Sequence, residues 1–177
     1  MMLDKGKKIF TGMAYIGSQL ADGEGTFVLP LDADDLVSNR LAEFFNNRNE
    51  ECCYLSKYGY IWNEGSRWLR KAKDLWRTCG SCSIIYYKKS ELPLSVDSES
   101  EKEYLFSNSH RQIPTLAAKA GKRISTLPFA STIYVLGTGE NHSTTYGVKL
   151  SWKRYVEAII NIPCYFSSQK RKEFIKS

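Results

Sequence analysis

The sequence predicts an α+β fold, a mostly antiparallel sheet with two or three packed helices, and three observations lead there. Short runs dense in β-branched and aromatic residues stand at 8–17, 26–29, 83–88, 131–136 and 146–150, bounded by Gly, Asp and Ser clusters as strands are. Between them, 34–47, 66–79 and 151–161 repeat apolar residues at helical spacing. The 177 residues suit one domain spanning 1–177, and a chain of this size buries roughly 70% of its unfolded surface without needing a disulfide or metal.

The elements follow in order. Residues 8–17 read as a strand that pairs with 26–29 across the turn-like 21–25 to make a hairpin. Asp34 or Asp32 then caps a helix to about Asn47, along which Leu36, Val37, Leu41, Phe44 and Phe45 recur. The strongest helical pattern covers 66–79, with Trp68, Leu69, Ala72, Leu75, Trp76 and Cys79 on one stripe, Ser66 as its cap and Gly80 as its stop. On this reading Trp68 and Trp76 are core residues, while Arg67, Arg70, Lys71 and Arg77 share the outer face. A strand at 83–88 follows, then a Ser-rich acidic segment that reads as a mobile loop over about 90–109. Strands at 131–136 and 146–150 flank a Gly-containing loop, and a last helix at 151–161 ends before Pro163. The basic residues from 167 to the end read as a loose tail.

Charge is distributed in blocks. Residues 54–89 carry eight Lys and Arg against Glu64 and Asp74, and the cations are interleaved with Tyr54, Tyr58, Tyr60, Trp62, Trp68, Trp76, Tyr86 and Tyr87. Permanent cations among aromatic rings suit a polyanion, whose phosphates meet the charges while bases or lipid interfaces meet the rings. The residues assigned to that contact are Arg67, Arg70, Lys71, Arg77, Lys88, Lys89, Lys170, Arg171 and Lys172. Residues 20–53 and 90–109 are acidic, so complementary patches favour self-association as well.

Other patterns fit structural roles better than chemistry. Cys79-Gly80-Ser81-Cys82 has the C-x-x-C spacing of redox proteins, but the predicted helix precedes it where thiol chemistry needs a helix to follow, so it reads as a helix C-cap. Pairing it with Cys52, Cys53, Cys164 or His110 gives no familiar zinc spacing. Asp32, Asp34 and Asp35 after a strand resemble the metal-holding carboxylates of nucleotide-sugar transferases and dehalogenase-type phosphatases, although the helix-cap role explains them more simply. Gly137-x-Gly139 lacks the third glycine of a dinucleotide loop. His110 and His142 are the two histidines and the weak candidates for a nuclease acid/base pair. No cofactor or metal is expected.

Mass near 20 kDa, a basic pI, strands mixed with two or three helices, basic segments at both ends, a Trp-bearing basic helix and no coherent catalytic set together resemble the small matrix proteins of viruses, those of plant-infecting rhabdoviruses above all. The likeness is one of overall profile, without the proline-rich late-domain signatures of some animal-virus relatives. It implies a non-enzymatic structural protein that binds RNA or a nucleocapsid, attaches peripherally to anionic membranes and self-associates during virion assembly. The competing classes are an enzyme, either a His-dependent nuclease or a Mg²⁺-dependent transferase, and a nucleic-acid-binding regulator. With no apolar run of 18 residues and no export signal, host cytoplasm and virion are the expected locations, and no segment crosses a membrane.

Overall fold

A computed structural model describes residues 2–93, 106, 109–137 and 163–175. It is an α+β fold whose described residues form four helices and nine strands in two mixed, mostly antiparallel sheets. The first sheet has the order β1 (Gly25–Val28), β6 (Ser83–Lys88), β3 (Cys52–Leu55), β7 (Arg123–Thr126). The second has the order β2 (Leu36–Val37), β8 (Thr132–Leu136), β4 (Tyr58–Asn63), β5 (Trp68–Lys73), β9 (Pro163–Tyr165).

Two stretches of chain pass from one sheet to the other side by side. β3 runs on into β4 and β7 into β8, and both pairs, β3 with β7 and β4 with β8, are parallel. The crossing is tied by hydroxyls: Ser56 hydrogen-bonds Ser131, and Thr132 donates to the Ser81 carbonyl at 3.3 Å. All four residues are buried, so the Ser56, Ser131 and Thr132 hydroxyls and the Ser81 carbonyl satisfy one another where water is absent, while the Ser81 hydroxyl accepts from the Asp32 amide at 2.9 Å. Gly59 belongs to this seam, because a Cβ there would stand 2.4 Å from Leu75 Cδ2 and 2.6 Å from the Thr132 carbonyl oxygen.

The N-terminal segment corrects the sequence reading. Residues expected as a strand lie in helix α1 (Met2–Gln19), and β1 pairs instead with β6, Gly25 opposite Lys88 and Val28 opposite Ile85. The physical reason is periodicity: Ile9, Met13, Ile16 and Leu20 recur at i, i+4, i+7 and i+11 and pack on one core cluster with Val28, Ile85 and Leu92. A helical stripe that buries itself outweighs the β preference of its residues.

The expected helix at 34–47 shrinks to α2 (Arg40–Phe45), while Leu36 and Val37 form β2 against β8. Neither Asp32 nor Asp34 caps it. Asn39 holds the cap position without a side-chain bond to the helix, and the Ser38 hydroxyl accepts from the Arg40 amide at 3.3 Å. Leu41, Phe44 and Phe45 meet Phe27, Tyr54 and Phe129 in an aromatic cluster, with the Phe44 and Tyr54 rings edge to face at 5.4 Å.

The largest correction falls on 66–79. Trp68–Lys73 is strand β5, paired antiparallel with β4, and only Leu75–Arg77 makes a turn of 3₁₀-helix. Tyr58, Tyr60 and Trp62 alternate along β4, and Gly65, at φ 80°, lets 63–66 turn back so that Trp62 faces Leu69. Pairing satisfies the backbone of both strands and buries Leu69 completely, which the local helical pattern could not do alone. Trp68 is consequently not core: it is 54% exposed, with its ring edge to face on Tyr165. Trp76 is half-buried between two clusters.

The strands expected at 83–88 and 131–136 are present as β6 and β8. α3 (Ile113–Lys119) leads into β7 and buries Ile113 and Ala117. The strand expected at 146–150, the helix at 151–161 and most of the acidic loop lie outside the described residues. The basic tail is not loose where it is described: Ser168–Phe174 is α4, capped by Ser167, whose hydroxyl accepts from the Lys170 amide at 3.4 Å. Phe166 and Phe174 from this segment pack on Leu69, Ile133 and Val135. The Glu173 carbonyl accepts from the Asn39 amide at 3.0 Å, and its carboxylate accepts from Ser38 at 2.7 Å.

Candidate polyanion-binding face

Directly opposed residues of an antiparallel pair project from the same face. Tyr58 opposite Lys73, Tyr60 opposite Lys71 and Trp62 opposite Leu69 therefore share one face of the second sheet. α4 covers the Trp62 and Leu69 end of it, Phe166 meeting Trp62 at 5.4 Å and Phe174 meeting Tyr60 at 6.1 Å. The Tyr58 end is uncovered: Tyr58 is 46% exposed, and Lys71 and Lys73 are exposed beside it.

Cations sit on the ring of this uncovered end and on the half-buried Tyr60 ring beside it. Lys57 Nζ lies 5.6 Å from the Tyr58 ring centre, and Lys170 Nζ, supplied by α4, lies 5.9 Å from that of Tyr60. None of Lys57, Lys71, Lys73 and Lys170 forms an ion pair among the described residues. The Tyr60 hydroxyl is held above its usual acidity range, first by burial and then by Cys164 and Glu173, so this ring stays a neutral surface.

The residues singled out by sequence scatter. Lys71 and Lys170 come together on this face, with half-buried Lys170 at its border. Arg70 projects from the opposite face, and Arg67 stands at the far turn, its carbonyl accepting from the Phe166 amide at 2.9 Å. Arg77 lies past the end of β5 with its guanidinium 4.8 Å from the Trp76 ring centre. Lys88 and Lys89 belong to the other sheet and are paired, with Glu51 at 2.6 Å and Asp22 at 2.9 Å. The hydrogen bond that Lys88 donates to Glu51 raises the Lys88 ammonium pKa, and Lys89 lowers that of Asp22. Arg171 lies over Phe166 at 5.2 Å and donates to its carbonyl, whereas Lys172 is exposed on α4. The expectation of four cations on one helical face is corrected, because a strand sends Arg70 and Lys71 to opposite sides. Lys57 and Lys73 belong to the basic aromatic segment, yet reading 66–79 as a helix hid their convergence with Lys71. The signal that finds it is the period-two run of Tyr58, Tyr60 and Trp62 before a Gly turn.

The nuclease and metal candidates take other places. His110 has a ring nitrogen, Nε2, 3.1 Å from the Arg77 carbonyl, and His142 lies outside the described residues. Asp35, expected as a cap, is instead buried: it accepts from the Cys79 thiol at 3.1 Å and the Val135 amide at 3.2 Å. Burial raises its carboxyl pKa against these bonds and one from Ser81. The Cys79 thiol is pushed up by its hydrogen bond with Cys82 and then by burial, which keeps it protonated and unreactive. Cys79 caps the start of a 3₁₀ turn that Cys82 ends, so the C-x-x-C is no helix C-cap; it helps close the core under β4 and β5. Among the described residues no three His, Cys, Asp or Glu side chains are placed to hold a metal ion.

No protein-family model, curated protein or solved structure matches the chain. Among the described residues no helix is long and apolar enough to cross a membrane.

Proposed function

We propose that this chain is a structural, matrix-like protein that binds nucleic acid without sequence preference, and that the Tyr58 end of the second sheet is its contact face. One observation carries the reading: Lys57 lies over the exposed Tyr58 ring and Lys170 over the half-buried Tyr60 ring, beside the exposed Lys71 and Lys73, with no carboxylate partner for these lysines among the described residues. Exposed like charges gathered on one surface repel one another, and a polyanion relieves that repulsion. Phosphates meet the ammonium groups and release condensed counterions, while the Tyr58 ring offers a stacking surface that accepts any base.

The test is fluorescence anisotropy with a labelled 15-nucleotide oligouridine, run as a salt series. Four phosphate contacts give a slope of log affinity on log salt of about −3 for a single strand. Reversing Lys71 and Lys73 to Glu lowers affinity at least about tenfold with unchanged circular dichroism, whereas Lys88→Gln, which removes an already paired cation, leaves it within about twofold. Tyr58→Ala weakens binding and leaves the slope unchanged, because stacking carries no counterion. Parent-like affinity for the Lys71/Lys73 reversal sinks the assignment of this face. Tighter binding to anionic vesicles than to RNA moves the ligand to a membrane surface, and EDTA-insensitive cleavage of the probe moves the reading to the nuclease.

A further inference from the structure

The last strand of a sheet leaves the amide and carbonyl of every second residue facing outward, and the end strands of this fold manage that differently. β2 is two residues long, β9 opens on Pro163, which has no N–H, and β1 is bordered by α2, whose Phe45 ring stands 4.3 Å from that of Phe27. β7 ends the first sheet with none of these guards. The Arg123 amide donates to the Glu51 carbonyl at 3.2 Å and the Leu127 amide to the Leu55 carbonyl at 3.0 Å, so Arg123, Ser125 and Leu127 turn their backbone groups toward β3. Alternation turns the amide and carbonyl of Ile124 and Thr126 outward, and no described backbone group bonds to them. Both side chains are exposed, Ile124 at 38%, and share a face with Cys53 and Leu55. Arg123, the one charge in the strand, is held back by Glu50.

We infer that β7 is a dimerisation edge, on which a second copy of this chain pairs antiparallel about a two-fold axis through Ser125. Self-complementarity specifies the occupant. Ile124 and Thr126 stand symmetrically about Ser125, so the two-fold sets Ile124 opposite the partner's Thr126, and the reverse, and each outward amide meets an outward carbonyl. The two Ile124 side chains become diagonal neighbours about 7–8 Å apart on one face, which covers apolar surface that a single copy exposes. Charge favours the same arrangement: Ile124, Ser125 and Thr126 are neutral, and each Arg123 falls opposite the partner's Leu127. The two Arg123 positions are then four residue steps apart, about 13 Å along the strands and beyond the screening length at ordinary salt. The inference does not depend on the contact face of the second sheet.

The experiment measures the mass of the full chain by sedimentation from about 1 μM to about 1 mM, in ordinary salt and in about 1 M salt, where the screening length falls to about 3 Å. The parent mass is expected to rise to twice 20.2 kDa and no further, in both salts, because backbone pairing does not rest on charged patches. Thr126→Pro removes only an outward N–H, and Ile124→Lys sets two ammonium groups beside the axis; each keeps the ladder to β3 and weakens association at least about tenfold, with melting as the check on folding. Ser125→Cys gives a reading that a folding defect cannot mimic. Opposed residues of a non-hydrogen-bonded antiparallel pair have Cα atoms about 4.5 Å apart, within disulfide reach, so mild oxidation with diamide, which takes up the two thiol protons and electrons, joins the copies covalently. Lys172→Cys, exposed on α4, is the control and does not cross-link. A parent that stays at 20.2 kDa throughout, a mass that grows beyond the dimer, or association lost in about 1 M salt overturns the edge. So does parent-like association of Ile124→Lys, or Lys172→Cys cross-linking as readily as Ser125→Cys.

Discussion

Replacing Phe174 by Ala tests whether the C-terminal basic segment is part of the folded core. A loose tail would make the change silent. In the structure Phe174 is 6% exposed, packed with Leu69, Ile133, Val135 and Phe166, and set edge to face on Tyr60. Truncating a buried Phe to Ala removes its transfer energy and leaves a cavity, together worth about 3–5 kcal/mol, and the lost aromatic pair lies within that figure. For a chain of this length each kcal/mol moves the melting temperature by about 2–4 °C, so a drop of roughly 6–20 °C is expected. If α4 instead detaches before the rest unfolds, the global loss is capped at its docking energy. That case is read by limited trypsin digestion, because Lys170, Arg171 and Lys172 become cleavable under native conditions. The exposed Lys172→Ala serves as the control and changes neither readout. A Phe174→Ala variant that melts and digests like the parent would falsify the docking of α4 and, with it, the placement of Lys170 on the contact face.

Two further outcomes test the interior. Gly59→Ala should cost about 1–3 kcal/mol in urea denaturation, since its Cβ meets the Thr132 carbonyl and Leu75 at the seam where the backbone has little room to retreat; a neutral variant would refute the closeness of that crossing. Asp35→Asn should flatten the pH dependence of stability. The parent carboxyl is raised by burial, so its contribution is full below the ordinary carboxylate range and is lost as pH rises through the folded value. The stability difference, variant minus parent, therefore increases with pH above about 4, by no more than about 1.4 kcal/mol per pH unit, and a flat difference in urea midpoints would count against a buried Asp35.

The sequence by itself determined the α+β class, the strands at β1, β6 and β8, and the concentration of cations among aromatic rings in 54–89. Those strands are dense in β-branched and aromatic residues and bounded by turn residues, so local preference and final environment agree. Tertiary structure decided the rest, because several segments carry patterns compatible with either period. Trp68, Leu69, Ala72 and Leu75 satisfy a helical stripe, yet the pairing of Trp62 with Leu69 and the burial of Leu69 under Phe166 and Phe174 make 68–73 a strand. Residues 8–17 went the other way, since Met13 and Ile16 find a core only when wound into a helix. The binding face depends on both outcomes of pairing. Lys57, Tyr58, Tyr60, Lys71, Lys73 and Lys170 converge only after β4 and β5 register and α4 docks; the period-two run of Tyr58, Tyr60 and Trp62 is the local trace of the first step, whereas the docking of Lys170 from a distant segment leaves no local periodicity to read.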